Sequence, residues 1–143
     1  MIKVEPSFLF KGNCSQAMEL YQKAFNAEIV VKMLFSDADP KDLQYKDEEK
    51  DFIYHCQLKI GEQIILLADD SNGVLKNESE ASAMLSLCMT FDSAKDVNAA
   101  YEIISQGATI ITPMASTTYC SCYVLLVVKF GMRWELMTDQ TER

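Results

Sequence analysis

Positive charge is in short supply in this chain. Thirteen lysines and arginines stand against 21 aspartates and glutamates, a formal net charge of −8, so the basic footprint with which a protein neutralises phosphates is missing. That excludes nucleic acid as a partner, and the same balance argues against an anionic membrane surface. Much of the excess acid falls between Asp37 and Asp51. Nowhere do enough uncharged apolar residues run together to cross a bilayer, and the opening MIKVEPSFLF has no basic segment followed by a long apolar one. A cytoplasmic protein without a membrane span is expected.

Metal-binding and nucleophilic side chains are sparse too. His55 is the single histidine, and the five cysteines, Cys14, Cys56, Cys88, Cys120 and Cys122, are an odd number scattered over predicted helix and strands. Such a set does not resemble a secreted disulfide framework, so reduced thiols are expected. Cys120-Ser121-Cys122 has the look of a soft-metal or redox pair, yet no second Cys/His cluster stands beside it and no histidine is near in sequence to activate either thiol. Both are read as core residues on one face of a strand.

What the chain does have is alternation. Val4, Pro6, Phe8 and Phe10 alternate with Lys3, Glu5 and Ser7, the mark of a half-buried strand that Lys11-Gly12 ends. Asn13, with Gln16 three residues on, reads as a capping box; Cys14, Ala17, Met18, Tyr21 and Phe25 then fall at helical spacing. Residues 27–35 alternate as a strand with Ile29, Val31, Met33 and Phe35 on one face. Residues 36–51 are polar and include a proline, which predicts a long loop, mobile or lying over a groove mouth. Residues 52–60 place Phe52, Tyr54, Cys56, Leu58 and Ile60 opposite Ile53, His55, Gln57 and Lys59, and Gly61-Glu62 turns the chain into a partner strand at 63–68.

After a polar linker the pattern starts again. A strand at 83–91, a helix capped by Asp92 or Ser93 with Val97, Ala100, Tyr101 and Ile104 inward, a strand at 108–111, and apolar runs at 119–128 and 132–136 around Lys129-Phe130-Gly131 complete the second set. In the last run Met132, Trp134 and Leu136 face one way and Arg133, Glu135 and Met137 the other. Strand, helix and three further strands therefore occur twice, as a module at 4–69, a linker at 70–82 and a module at 83–138 within one domain of 143 residues. The fold class is α+β. Each module has one helix for one face of a four-stranded sheet, so the other face awaits the second module, another chain or a ligand.

Three stretches, FLFKGNCSQAMELYQKAFNAEI from Phe8, HCQLKIGEQIILLADD from His55 and KFGMRWEL from Lys129, resemble the PhnB-like branch of the vicinal oxygen chelate superfamily, which includes glyoxalase, bleomycin-resistance and dioxygenase proteins. The resemblance implies paired βαβββ modules forming a U-shaped mixed sheet, a homodimer, and a concave face that carries divalent metal (Ni, Zn, Mn or Fe) in the catalytic members. Glu135 falls where the metalloenzymes place their last-strand Glu. On the first strand the corresponding position falls by counting on Pro6, which cannot coordinate, with Glu5 or Ser7 reached by a slip of one residue. On the strand at 83–91 only Ser86, Cys88 and Thr90 are offered. Two glycines and one aromatic of the branch are absent, with Cys122, Val124 and Tyr119 in that segment, so a reshaped pocket is expected. The expected groove residues are His55, Gln57, Tyr119, Tyr123 and Glu135. No cofactor is expected; were a metal bound, His55, Glu135 and Glu5 are its candidate ligands. Two functions follow from the resemblance: a metal-free protein that binds a small molecule, or a divalent-metal-dependent lyase, transferase or dioxygenase.

Overall fold

The computed structural model describes residues 1–76 and 84–139. The chain divides into two compact units, Met1–Ser79 and Glu80–Arg143; residues 77–82 of the predicted linker, and Ala83 at the head of the predicted second-module strand, lie outside the described residues. The first unit contains β1 (Ser7–Phe10), α1 (Cys14–Phe25), β2 (Glu28–Leu34), β3 (Ile53–Ile60) and β4 (Gln63–Asp69). Its sheet runs β1-β4-β3-β2, with β1 parallel to β4 and the other pairs antiparallel. The opening strand is shorter than the alternation predicts, for Pro6 has no N–H to give the ladder, and Val4 is left exposed.

The start of α1 shows how the unit closes. Asn13 occupies the N-cap position without making a side-chain cap bond, contrary to the predicted capping box. Asp69, at the end of β4, does that work from 55 residues away, accepting the Cys14 N–H at 3.0 Å and the Ile53 N–H at 2.8 Å. Burial raises the Asp69 carboxyl above the ordinary aspartate range, against the backbone N–H bonds of Ile53, Cys14 and Gly12, which lower it.

Two register irregularities in the β2/β3 pair explain where simple alternation fails. Ile29 pairs with Leu58, but Val31 pairs with Gln57 and Met33 with His55, so the predicted face Ile29, Val31, Met33, Phe35 is split by a bulge. Likewise Ile53, Cys56 and Leu58 are the buried residues of β3, whereas Tyr54 is only half-buried. The 36–51 segment is folded onto its unit by apolar anchors. Leu43 is buried, and Phe35 packs against Tyr45 and edge-on to Phe52. Its acids close local turns: Asp37 accepts the Leu34 N–H and Glu49 the Lys46 N–H.

The second unit contains β5 (Leu87–Phe91), α2 (Ala94–Ile104), β6 (Thr109–Ala115), β7 (Tyr123–Val127) and β8 (Arg133–Thr138), in sheet order β5-β8-β7-β6 with β5 parallel to β8. Ser93 caps α2 by accepting the Asp96 N–H at 3.2 Å. The helix packs on β8, on the face where Trp134 and Leu136 are buried beside Val124 and Leu126. Phe8, Phe10, Met132 and Trp134, apolar strand residues expected to need a partner chain, differ in burial: Phe8 is half-buried, and the other three are 2–3% exposed.

Residues 119–122 are not strand, as alternation predicts, but a turn built by hydroxyls. Thr117 Oγ1 accepts the N–H groups of Tyr119 and Cys120, and Thr138 Oγ1 accepts those of Ser121 and Cys122. Side chains that take backbone donors leave none for a ladder. Cys120 and Cys122 are therefore buried turn residues rather than neighbours on one strand face.

Candidate functional site

The face of the second sheet opposite α2 is where chemistry-bearing groups gather. Period-two alternation on β8 sends Glu135 to the side away from Trp134 and Leu136. Parallel pairing sets Cys88 beside Glu135, and antiparallel pairing sets Leu125 on its other side. One row along, Tyr123 pairs with Met137, and these two form a small buried cluster with Cys120 and Leu125.

Within this setting Glu135 is held at both oxygens. Tyr123 donates its hydroxyl to Oε1 at 2.6 Å, and Ser86 donates to Oε2 at 2.6 Å. These are charge-assisted bonds at the short end of their range. The ring of Tyr119 meets that of Tyr123 edge-on, with centroids 6.2 Å apart, and Tyr119 remains 41% exposed. Burial first, then the hydrogen bond to Glu135 and its charge, push the Tyr123 hydroxyl far above the usual tyrosine range. Burial and the Glu135 carboxylate also raise Cys88, against a hydrogen bond with Thr90. Tyr119 is raised by desolvation and by the charges of Cys120, Glu135 and Cys88.

The first unit holds the other expected groove residues. His55 and Gln57 lie on one face of β3, with the Gln57 amide 3.3 Å from His55 Nε2. An amide N–H donating there makes Nε2 the acceptor and leaves the proton on Nδ1. Ser7, Leu66, Gln57 and Val31 are successive register partners, so one row across that face runs through Gln57. Pro6 thus belongs to the opposite parity, and Ser7 is the β1 residue on the Gln57 face, a slip of one from the count made on the sequence. Glu5 is 3.6 Å from Lys3.

Tyr119, Tyr123 and Glu135 are thus brought together within the second unit, and His55 with Gln57 within the first. Ser86 was visible in the sequence only as a poor metal ligand; its role as a donor to Glu135 depends on the parallel β5/β8 register, which no local pattern announces. A divalent metal needs three protein ligands in its usual open site. Among the described residues no three of His, Cys, Asp and Glu come together in a way that could hold one, and both Glu135 oxygens already bond hydroxyls. Within the second unit, then, the Glu135 carboxylate is engaged by two hydroxyls and not by a set of metal ligands.

No protein-family model and no curated protein matches the chain. Solved structures do. Protein PA1353 from Pseudomonas aeruginosa superposes with a TM-score of 0.82 at 20% identity, covering 97% of this chain and 98% of that one. A PhnB protein from Bacillus cereus gives 0.80 at 19% identity, with 96% and 100% covered. A variant of FosX from Listeria monocytogenes, complexed with Mn(II) and a dihydroxypropylphosphonic acid, gives 0.61 at 14% identity, with 96% and 93% covered. In fold, this chain is of the glyoxalase/bleomycin resistance/dioxygenase kind, α+β with two four-stranded mixed sheets and two helices.

Proposed function

We propose that the protein binds a small molecule without a metal, at the Glu135 face of its second sheet. The observation that carries this reading is the state of Glu135: its two oxygens accept Tyr123 and Ser86 where a metal site would need them free and accompanied by further ligands. The exposed Tyr119 ring against Tyr123 and the apolar floor of Leu125 and Met137 have the composition of a ligand pocket, apolar with a few placed polar groups. FosX holds Mn(II) on a similar fold; the two hydroxyl donors on Glu135 support a different use of the same scaffold here, ahead of a metal-dependent lyase, transferase or dioxygenase. Calorimetric titration with Mn²⁺, Ni²⁺ and Zn²⁺, with metal analysis of the purified protein, tests it. No stoichiometric uptake is expected. One metal per chain, lost in Glu135→Gln, would overturn the proposal.

The same reading makes the protein a cytoplasmic homodimer. Support comes from five free thiols and from apolar side chains exposed on edge strands, Val30 and Met33 on β2 and Ile110 and Ile111 on β6, a combination that a solvent-facing edge normally avoids. Sedimentation equilibrium at micromolar concentration should return twice the chain mass; a clean monomer removes the dimer.

A further inference from the structure

We infer that the ligand presents an organic ammonium group to Glu135, with the Tyr119 ring set against its cationic end. The inference rests on the binding reading above and adds the charge of the ligand. Glu135 is part-buried and its donors, Tyr123 and Ser86, are both neutral hydroxyls. Among the described residues no lysine or arginine lies within ion-pair distance of it, Arg133 on the same strand included. Cys88, Tyr119 and Tyr123 all feel the negative charge of Glu135, and Arg133, two residues back on the same face, stays beyond ion-pair distance of it.

A ligand that settles on this face removes the remaining water from the carboxylate. A charge buried without a counter-charge is costly even when hydrogen-bonded, so a neutral alcohol would satisfy lone pairs and leave the charge uncompensated. An anion would be repelled. An ammonium supplies N–H donors to the lone pairs that Tyr123 and Ser86 leave open, and it brings the missing charge. Tyr119 adds to this preference: its ring is 41% exposed and stands nearly perpendicular to that of Tyr123, and an aromatic face attracts a cation within about 6 Å. Leu125 and Met137 beside the carboxylate suit an apolar body attached to that cation.

Three probes of nearly the same shape separate the possibilities: phenethylammonium, phenethyl alcohol and phenylacetate, titrated into the full chain and followed by calorimetry and by methyl NMR of Leu125 and Met137. Phenethylammonium should bind at least tenfold more tightly than the alcohol, and phenylacetate most weakly. Glu135→Gln, isosteric and still able to accept hydrogen bonds, should abolish the preference while the alcohol affinity changes less than twofold. Tyr119→Ala, at an exposed ring whose loss leaves the fold alone, should weaken phenethylammonium several-fold more than the alcohol. Equal affinity for ammonium and alcohol, or a preference that survives Glu135→Gln, overturns the ammonium inference and leaves the binding site standing. Absence of ammonium binding at millimolar concentration also overturns it. Uptake of Mn²⁺ through Glu135 in place of any probe removes both this inference and the reading beneath it.

Discussion

Replacing Asp69 by alanine should cost the first unit more than any other polar change in it. The carboxylate is 3% exposed and accepts the N–H of Cys14 at 3.0 Å and of Ile53 at 2.8 Å, tying the first turn of α1 to the start of β3. A hydrogen bond to a charged group contributes about 1.5–3 kcal/mol, and a buried donor left unpaired costs about 1–3 kcal/mol. Two such donors, relieved in part by water entering the space left behind, give a loss of about 3–5 kcal/mol for Asp69→Ala. Asp69→Asn keeps one acceptor and turns an NH₂ towards the other donor, for about 2–3 kcal/mol. Urea unfolding measures both; with a slope of about 2 kcal/mol/M, the alanine midpoint should fall by about 1.5–2.5 M. The control is Asn13→Ala. An ordinary N-cap is worth about 1 kcal/mol, but the Asn13 Oδ1 is buried and bonded to nothing, so the change should stay within about 0.5 kcal/mol. An Asp69→Ala midpoint shift below about 0.5 M, or a larger loss from Asn13→Ala, refutes the assignment of the cap to Asp69. Titration gives a second reading of the same group. Its folded pKa is raised, so the folded state binds the proton more tightly than the unfolded chain does; the associated stability is present below pH about 3.9 and is lost as pH rises through the folded value. Asp69→Asn should lack this decline.

Gly12 has φ +88, and a Cβ there would lie 2.8 Å from Phe52 Cζ. Gly12→Ala should destabilise by about 2–4 kcal/mol through left-handed strain and crowding together, seen as a lower midpoint in urea; an unchanged midpoint would show that Phe52 yields freely. Of the five thiols, Cys88 is exposed whereas burial pushes Cys56 up to about 11 and Cys14 far above the usual thiol range. A native thiol titration should therefore show one early-reacting group, absent in Cys88→Ser and slower than a free cysteine because burial, and then Glu135, raise it. Early labelling of Cys14 would contradict the packing around α1.

The doubled strand-helix-strand order was legible because it rests on apolar periods and turn glycines, which are local. Glu135 was legible for the same reason, through alternation with Trp134 and Leu136 along one strand. What could not be read depends on partners distant in sequence. Asn13 carries every local sign of a cap, yet Asp69 competes from across the sheet and wins. The split of Ile29 from Val31 needs a bulge that composition does not encode. Tyr119, Cys120 and Cys122 looked like strand residues because their apolar character was weighed without the hydroxyls of Thr117 and Thr138, which claim their backbone donors. Ser86 became a partner of Glu135 only once β5 had been laid parallel to β8.

The Thr138 clamp separates two jobs that share one face. Glu135 is fixed by the sheet, three residues before the hydroxyl that pins Ser121 and Cys122, whereas Tyr119 rides on the turn which that hydroxyl and Thr117 shape. Substitutions within 117–122 can thus widen or narrow the space above the carboxylate while the carboxylate stays where β8 puts it. Drift in that short segment would change which molecular sizes are admitted and leave the sign of the favoured charge untouched, so related chains could diversify their ligands by rebuilding one turn.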